Sequence, residues 1–147
     1  MRRNRTRILF LCTGNSCRSQ MAEAFAGELR GDLIEAASAG VENHGLNSRA
    51  VAVMSELGID ISSARSKTVD ELENTEFDYV VTICDDARET CPFFPAGTAL
   101  VHRGFEDPPA LESSKEAAED VLAPYRRVRD EIRDYILTLP SSLPGFD

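Results

Sequence analysis

Short apolar runs alternating with segments of helical period restrict this chain more than any other feature. Arg7-Ile-Leu-Phe-Leu-Cys12 reads as a buried strand. Ser19 to Arg30 follows as a helix, with Met21, Phe25 and Leu29 four apart and Gly31 as its stop. Leu33 to Ala39 is a second, weaker strand. Asn47 is placed to cap a helix running to Leu57, closed by Gly58. Thr68-x-x-Glu71 is a capping box opening another short helix. Phe77 to Cys84 is the strongest strand, and Thr98 to His102 is the fourth. Ser113-x-x-Glu116 is a further capping box, ahead of Val121, Tyr125, Val128, Ile132, Ile136 and Leu139 at steps of three and four. Pro124 either kinks that region or begins a second helix, and Pro140 ends it. Strands alternating with helices predict an α/β fold, a three-layer sandwich with a four-stranded parallel sheet flanked by helices. In such sheets ligands bind beyond the carboxyl ends of the strands.

Residues 1–147 are read as one domain, with 1–6 a flexible basic arm and 141–147 a flexible tail. A chain of this length buries about 68–70% of the surface its unfolded form exposes, so it needs no disulfide or metal to fold. No run approaches the roughly 18 apolar residues of a membrane span. Arg2, Arg3, Arg5 and Arg7 resemble the start of a secretory signal, but the apolar stretch behind them, Ile8 to Cys12, falls short of the roughly 7–15 residues required. The expectation is a cytoplasmic monomer that engages no membrane. The net charge of −9 also argues against nucleic acid, which needs a positive footprint. Any anion site must be local, built from backbone amides and one or two guanidiniums.

Cys12-Thr13-Gly14-Asn15-Ser16-Cys17-Arg18-Ser19 lies between a strand and a helix. A chain turning this way directs successive N–H groups into one concavity, and the helix adds the positive end of its dipole. Gly14 is expected to supply the backbone freedom of a tight cradle. Arg18 can fork onto two oxygens of a phosphate-like anion. The same field is expected to make Cys12 a thiolate near neutral pH, with Ser19 donating to it. Cys12 is thus the candidate nucleophile, and residues Thr13, Gly14, Asn15, Ser16, Cys17, Arg18 and Ser19 the oxyanion's contacts. A Walker loop is excluded, for there is no Gly-Lys-Ser/Thr. The plainer reading, a buried strand cysteine before an ordinary turn, leaves the Cys-x5-Arg-Ser spacing unexplained. Cys17 is read as a loop-packing thiol before a redox partner.

Cys84 ends the strongest strand as Cys12 ends the first, so adjacent parallel strands would bring the two together. Cys91 follows in Asp85-Asp-Ala-Arg-Glu-Thr-Cys91-Pro92. Seven helical residues separate their Cα atoms by about 10 Å. A disulfide needs roughly 4.4–6.8 Å, so a bridge between them requires that segment to unwind. Asp107, in Gly104-Phe-Glu-Asp107-Pro-Pro109 after the fourth strand, can protonate a departing oxygen and is preferred to Glu106. His44 and His102 have no metal-ligand spacing and read as loop or core residues. The cysteines do not form a zinc pattern.

The stretch Cys12 to Glu23 resembles the active-site loop of the low-molecular-weight tyrosine phosphatase superfamily. Val81-Thr-Ile-Cys84, Cys91-Pro92 and Gly104-Phe-Glu-Asp107-Pro108 resemble the thioredoxin-coupled arsenate reductases within it. The resemblance runs from Ile8 to about Leu139. It implies that Cys12 attacks arsenate held by the loop and Arg18 while Asp107 protonates the leaving hydroxide. Cys84 then forms a disulfide with Cys12 and releases arsenite, Cys91 takes over Cys84, and thioredoxin reduces the Cys84–Cys91 disulfide. No metal or organic cofactor is implied, and phosphate and sulfate are expected mimics of arsenate. Some relatives hold a monovalent cation beside the loop. Asn15, Glu23 and Ser38 match those positions, and Lys67 stands where a carboxylate would complete the site, so its ammonium is expected to replace the cation. The alternative is a tyrosine phosphatase using Cys12, Arg18 and Asp107, but Asp107-Pro-Pro-Ala-Leu lacks an aromatic residue to grip a phosphotyrosine ring. A non-catalytic anion or redox sensor is a third, minor reading.

Overall fold

The computed structural model describes residues 5–73, 76–84 and 97–146. Four strands, β1 (Thr6–Cys12), β2 (Ile34–Gly40), β3 (Tyr79–Thr82) and β4 (Ala99–His102), pair in parallel in the order β2-β1-β3-β4. The helices are α1 (Arg18–Arg30), α2 (Ser48–Ser55), α3 (Lys115–Glu119) and α4 (Ala123–Ile136). Short 3₁₀ turns occupy Val69–Glu71 and Pro108–Leu111. Strand β1 is central, and Ile8 to Leu11 are fully buried, which explains why its sequence is a continuous apolar run rather than an alternation.

The chain leaves β1 toward β2 on one side and later returns to β3 on the other. That reversal opens a crevice beyond the carboxyl end of β1. Cys12 is the last residue of β1, and Cys84 lies two residues past β3. Helix α1 buries Met21, Ala22, Phe25 and Ala26 and leaves Leu29 partly exposed. Helix α4 packs against α1 and α2, and Arg129 donates to the Val53 carbonyl (2.9 Å) and to Glu56 (2.8 Å). Among the described residues no helix is long and apolar enough to cross a membrane.

Several local expectations shift. The β3 ladder stops at Thr82, although Phe77 and Ile83 are buried on either side of it. An apolar run reports burial, which extends further than pairing does. The Thr68–Glu71 box forms in both halves but opens only a single 3₁₀ turn. Ser114, not Ser113, caps α3, accepting from the Ala117 amide at 3.2 Å, because it is the last extended residue before the helix. An extended Asp120 separates α3 from α4, and Pro124 sits in the first turn of α4, so the proline starts a second helix rather than kinking one. The tail expected to be flexible is docked: Leu143 is buried and the Tyr79 hydroxyl donates to the Pro144 carbonyl at 2.9 Å. Of the basic arm, Arg5 pairs with Glu35 at 3.5 Å, and residues 1–4 lie outside the described residues.

Candidate active site

The loop after β1 is shaped from behind. The Cys12 carbonyl accepts from Val41 N (3.1 Å), Thr13 from Glu42 N (2.8 Å), Gly14 from His44 N (3.0 Å) and Ser16 from Asn47 N (2.9 Å). Ser66 Oγ also donates to the Gly14 carbonyl, and Gln20 Nε2 to that of Asn15. With its carbonyls turned outward and bonded, the loop presents its N–H edge to a cavity of about 380 Å³. Cys12, Thr13, Gly14, Ser16, Cys17, Arg18, His44, Cys84, Asp107 and Pro109 line that cavity. The N-terminus of α1, beginning at Arg18, closes its floor.

The backbone freedom expected of Gly14 is exercised by its neighbour: Asn15 is the residue with a left-handed backbone, at φ +50°. Asparagine tolerates that region better than most residues. Gly14 is needed for space instead, because a Cβ there would fall 2.3 Å from Nδ1 of His44. Asn15 is fully buried, and its Nδ2 donates to Ser19 Oγ (2.8 Å) and Ser38 Oγ (3.0 Å). Its Oδ1 accepts from Gln20 Nε2 (3.0 Å) and from the Lys67 amide (2.9 Å). Asn15 and Ser19 therefore stand behind the cradle rather than on its wall. Ser19, expected to donate to the nucleophile, accepts from Asn15. Ser38 Oγ continues the chain by donating to Glu23 Oε1 at 2.5 Å, and the Lys67 ammonium lies 3.9 Å from that same oxygen.

Arg18 enters the cavity nearly buried. One terminal nitrogen donates to the Phe105 carbonyl (2.9 Å), and the other lies 3.4 Å from Asp107 Oδ1. Its Nε is buried with no hydrogen-bond acceptor among the described residues. Phe105 is itself held by edge contact with Tyr135 (ring centroids 6.0 Å apart) and by Arg103, whose guanidinium lies 4.4 Å over its ring. Asp107 faces the cavity, whereas Glu106 turns away to Arg127 at 3.0 Å.

Cys12 and Cys84 are 4% and 5% exposed, so both thiols are shielded yet open to the cavity. Thr13 Oγ1 lies 3.0 Å from Cys84 Sγ, and Cys84 and Cys12 line the same cavity closely enough to interact. Interaction with Cys84 raises the Cys12 pKa well above the ordinary thiol value, burial adds to it, and Arg18 and the Thr13 amide pull the other way. The thiolate expected at neutral pH is thus not the form favoured here; a second sulfur beside the first outweighs the loop's positive field. Burial likewise pushes Cys17 up to about 12, as fits a packing thiol. Cys91 lies outside the described residues. His44, read from sequence as a loop or core residue, lines the cavity and hydrogen-bonds through Nε2 to Glu42 at 2.7 Å. Pro109 completes the wall. Pro109 comes with the Asp107 motif, whereas nothing local in the sequence marks His44, which the segment from Val41 to Asn47 carries back along the loop.

Known proteins resemble this chain in sequence and fold. The family model for low molecular weight phosphotyrosine protein phosphatase matches residues 7–146. An arsenate reductase of Halalkalibacterium halodurans is 47% identical over 92% of this chain and 95% of its own. The structure of an arsenate reductase in the phosphate-binding state superposes with a TM-score of 0.72 at 29% identity, covering 91% of this chain and 95% of that one. A thioredoxin-dependent arsenate reductase of Corynebacterium glutamicum superposes at 0.67 and 26% identity over 95% of this chain and 62% of its own. A loop closed by Cys12 at the switch point of a four-stranded parallel sheet, with a family match running through it from β1 to the docked tail, makes this chain a member of the low molecular weight phosphotyrosine protein phosphatase family.

Proposed function

We propose that the protein reduces arsenate to arsenite, with Cys12 as nucleophile, Cys84 and Cys91 as resolving thiols, and thioredoxin as reductant. The observation that carries this reading is Cys84, a second buried thiol lining the same cavity as the nucleophile. Phosphate-ester hydrolysis needs one sulfur and gives the second no role. The arsenate reductase relatives support the same choice.

In this mechanism the loop amides of residues 13–19 and the Arg18 fork bind arsenate. The Asp107 carboxylate takes the Cys12 proton as the sulfur attacks arsenic, then delivers a proton to the oxygen that leaves as water. The Cys84 thiol passes its proton to an oxygen of the departing arsenic group as its sulfur attacks the Cys12 sulfur. A Cys12–Cys84 disulfide forms, the sulfur–arsenic bond breaks, and its electron pair stays on arsenic, which departs as arsenite. Cys91 attacks Cys84 and frees Cys12, and thioredoxin reduces the resulting Cys84–Cys91 disulfide. Two electrons pass from two thiols to arsenic, so the reaction calls on no metal or organic cofactor. The proposal is of a cytoplasmic monomer, since that compartment keeps thioredoxin reduced.

Steady-state turnover of arsenate with thioredoxin, thioredoxin reductase and NADPH tests the donor. Cys12→Ser abolishes all activity. Cys84→Ser stops arsenite release and spares any hydrolysis of aryl phosphates, and Cys91→Ser gives about one turnover and stalls. Sustained turnover of Cys91→Ser with thioredoxin alone would sink the relay. An enzyme that hydrolyses aryl phosphates but never releases arsenite would point to the phosphatase reading.

A further inference from the structure

The loop that carries Asp107 ends at Glu112, and this carboxylate sits in a chain of polar contacts leading back to the anion loop. Arg49, in the first turn of α2, pairs with Glu112 through a close contact to Oε1. The Tyr125 hydroxyl donates to Glu112 Oε2. Tyr125 also accepts from Asn47 Nδ2 at 3.4 Å. Asn47 caps α2, accepting from Arg49 N (2.8 Å) and Ala50 N (3.1 Å), and its own amide donates to the Ser16 carbonyl at 2.9 Å. Ser16 belongs to the anion loop. One unbroken path therefore runs from the oxyanion cradle through Asn47 and Tyr125 to the base of the acid loop.

Tyr125 is fully buried, yet nothing in the chemistry described above uses its hydroxyl. A phenol that deep stays only where it is hydrogen-bonded. Burial first, then Glu112, pushes it up to about 12, so it remains a donor across the working range. Arg49 first, then Tyr125, holds the Glu112 carboxyl below its ordinary range, so it remains an acceptor. The partners are complementary and fixed in charge. At the other end of the acid loop, Phe105 makes edge contact with Tyr135 and Glu106 is paired with Arg127. The exposed carboxylate of Asp107 thus stands on a strap tied to α4 on both sides.

We propose that Tyr125 and Glu112 are positioning residues, a tie that sets the height of Asp107 above the anion loop and so the rate of proton delivery to the leaving oxygen. This rests on the reading of Asp107 as the acid. The relevant measurement is the single-turnover rate of arsenite release, taken together with the dissociation constant of inorganic phosphate by calorimetry. Tyr125→Phe keeps the ring and removes the hydroxyl; it is expected to slow release about five- to tenfold, the effect of one hydrogen bond on the barrier. Phosphate affinity should stay within about twofold, because the cradle's own bonds persist. Glu112→Gln, a substitution at a half-exposed site, should act in the same direction. The decisive arm repeats Tyr125→Phe in an Asp107→Asn background, where no further slowing is expected because the acid it positions is gone.

Equal slowing in both backgrounds, a loss of phosphate affinity matching the loss of rate, or no slowing at all would each overturn the tie. An Asp107→Asn enzyme with unchanged rate would remove the acid reading and the tie with it. A slow Asp107→Asn enzyme with additive Tyr125→Phe would remove the tie alone.

Discussion

Replacing Gly40 by alanine perturbs the anion loop from a residue that never touches the anion. Gly40 ends β2 opposite Cys12, and its amide donates to the Lys67 carbonyl at 2.8 Å. A Cβ on Gly40 would lie 2.4 Å from the Glu42 carbonyl oxygen, 2.8 Å from Asn15 N and 2.9 Å from Gly14 C. All three are backbone atoms, so no side chain can swing aside. Reaching even 3.0 Å from Glu42 requires an opening of 0.6 Å. Moving Glu42 outward drags Thr13, whose carbonyl accepts from the Glu42 amide; moving Asn15 shifts the cradle itself. Either way at least one amide loses its aim at the anion. A hydrogen bond to a charged group contributes about 1.5–3 kcal/mol. Gly40→Ala should therefore weaken phosphate binding roughly 10- to 100-fold by calorimetry, and overpacking should lower stability by about 1–3 kcal/mol in urea unfolding. Wild-type phosphate affinity in a folded Gly40→Ala protein would refute the claim that the loop is held in shape from behind.

Three further outcomes follow from the same geometry. Asn15→Ala combines a left-handed backbone with four lost side-chain hydrogen bonds and should cost about 3–5 kcal/mol in urea unfolding; a loss below about 1 kcal/mol would contradict it. The raised Cys12 pKa means alkylation of Cys12 by iodoacetamide is slow at neutral pH and rises as pH approaches that value. Cys84→Ala removes the largest raising cause, so its labelling profile, followed by mass spectrometry, should move to lower pH; an unmoved profile argues that burial alone sets the thiol. With the Lys67 ammonium beside Glu23, turnover and melting temperature should be indifferent to potassium against sodium, and a potassium-specific gain would show that the lysine does not replace the ion.

What could be read from sequence was whatever the chain repeats locally. The apolar run Ile8 to Leu11, the Asn47 cap and the Thr68–Glu71 box are each set by neighbours within a few residues, and each forms. Cys12 and Cys84 could be paired in advance because both end strands of one parallel sheet, and sheet order alone then determines their approach. Less legible was anything decided by contact across the crevice. The positive φ at Asn15, the need for Gly14 and Gly40, and the arrival of His44 all depend on the segment from Val41 to Asn47 folding back along the loop. No local pattern encodes that return. The raised Cys12 pKa has a similar origin: the loop's positive field is visible in sequence, but the sulfur that opposes it arrives from the end of another strand.

The depth of the two thiols has a consequence for how the protein lives with ordinary cellular redox chemistry. Sulfurs only 4% and 5% exposed, recessed in a cavity, present little surface to a tripeptide thiol or its disulfide. Thiol–disulfide exchange needs in-line access to sulfur. Burial of the resting pair therefore slows its exchange with bulky disulfides in solution. In the relay proposed above, the pair is oxidised only when its electrons pass to arsenic, and they return through Cys91.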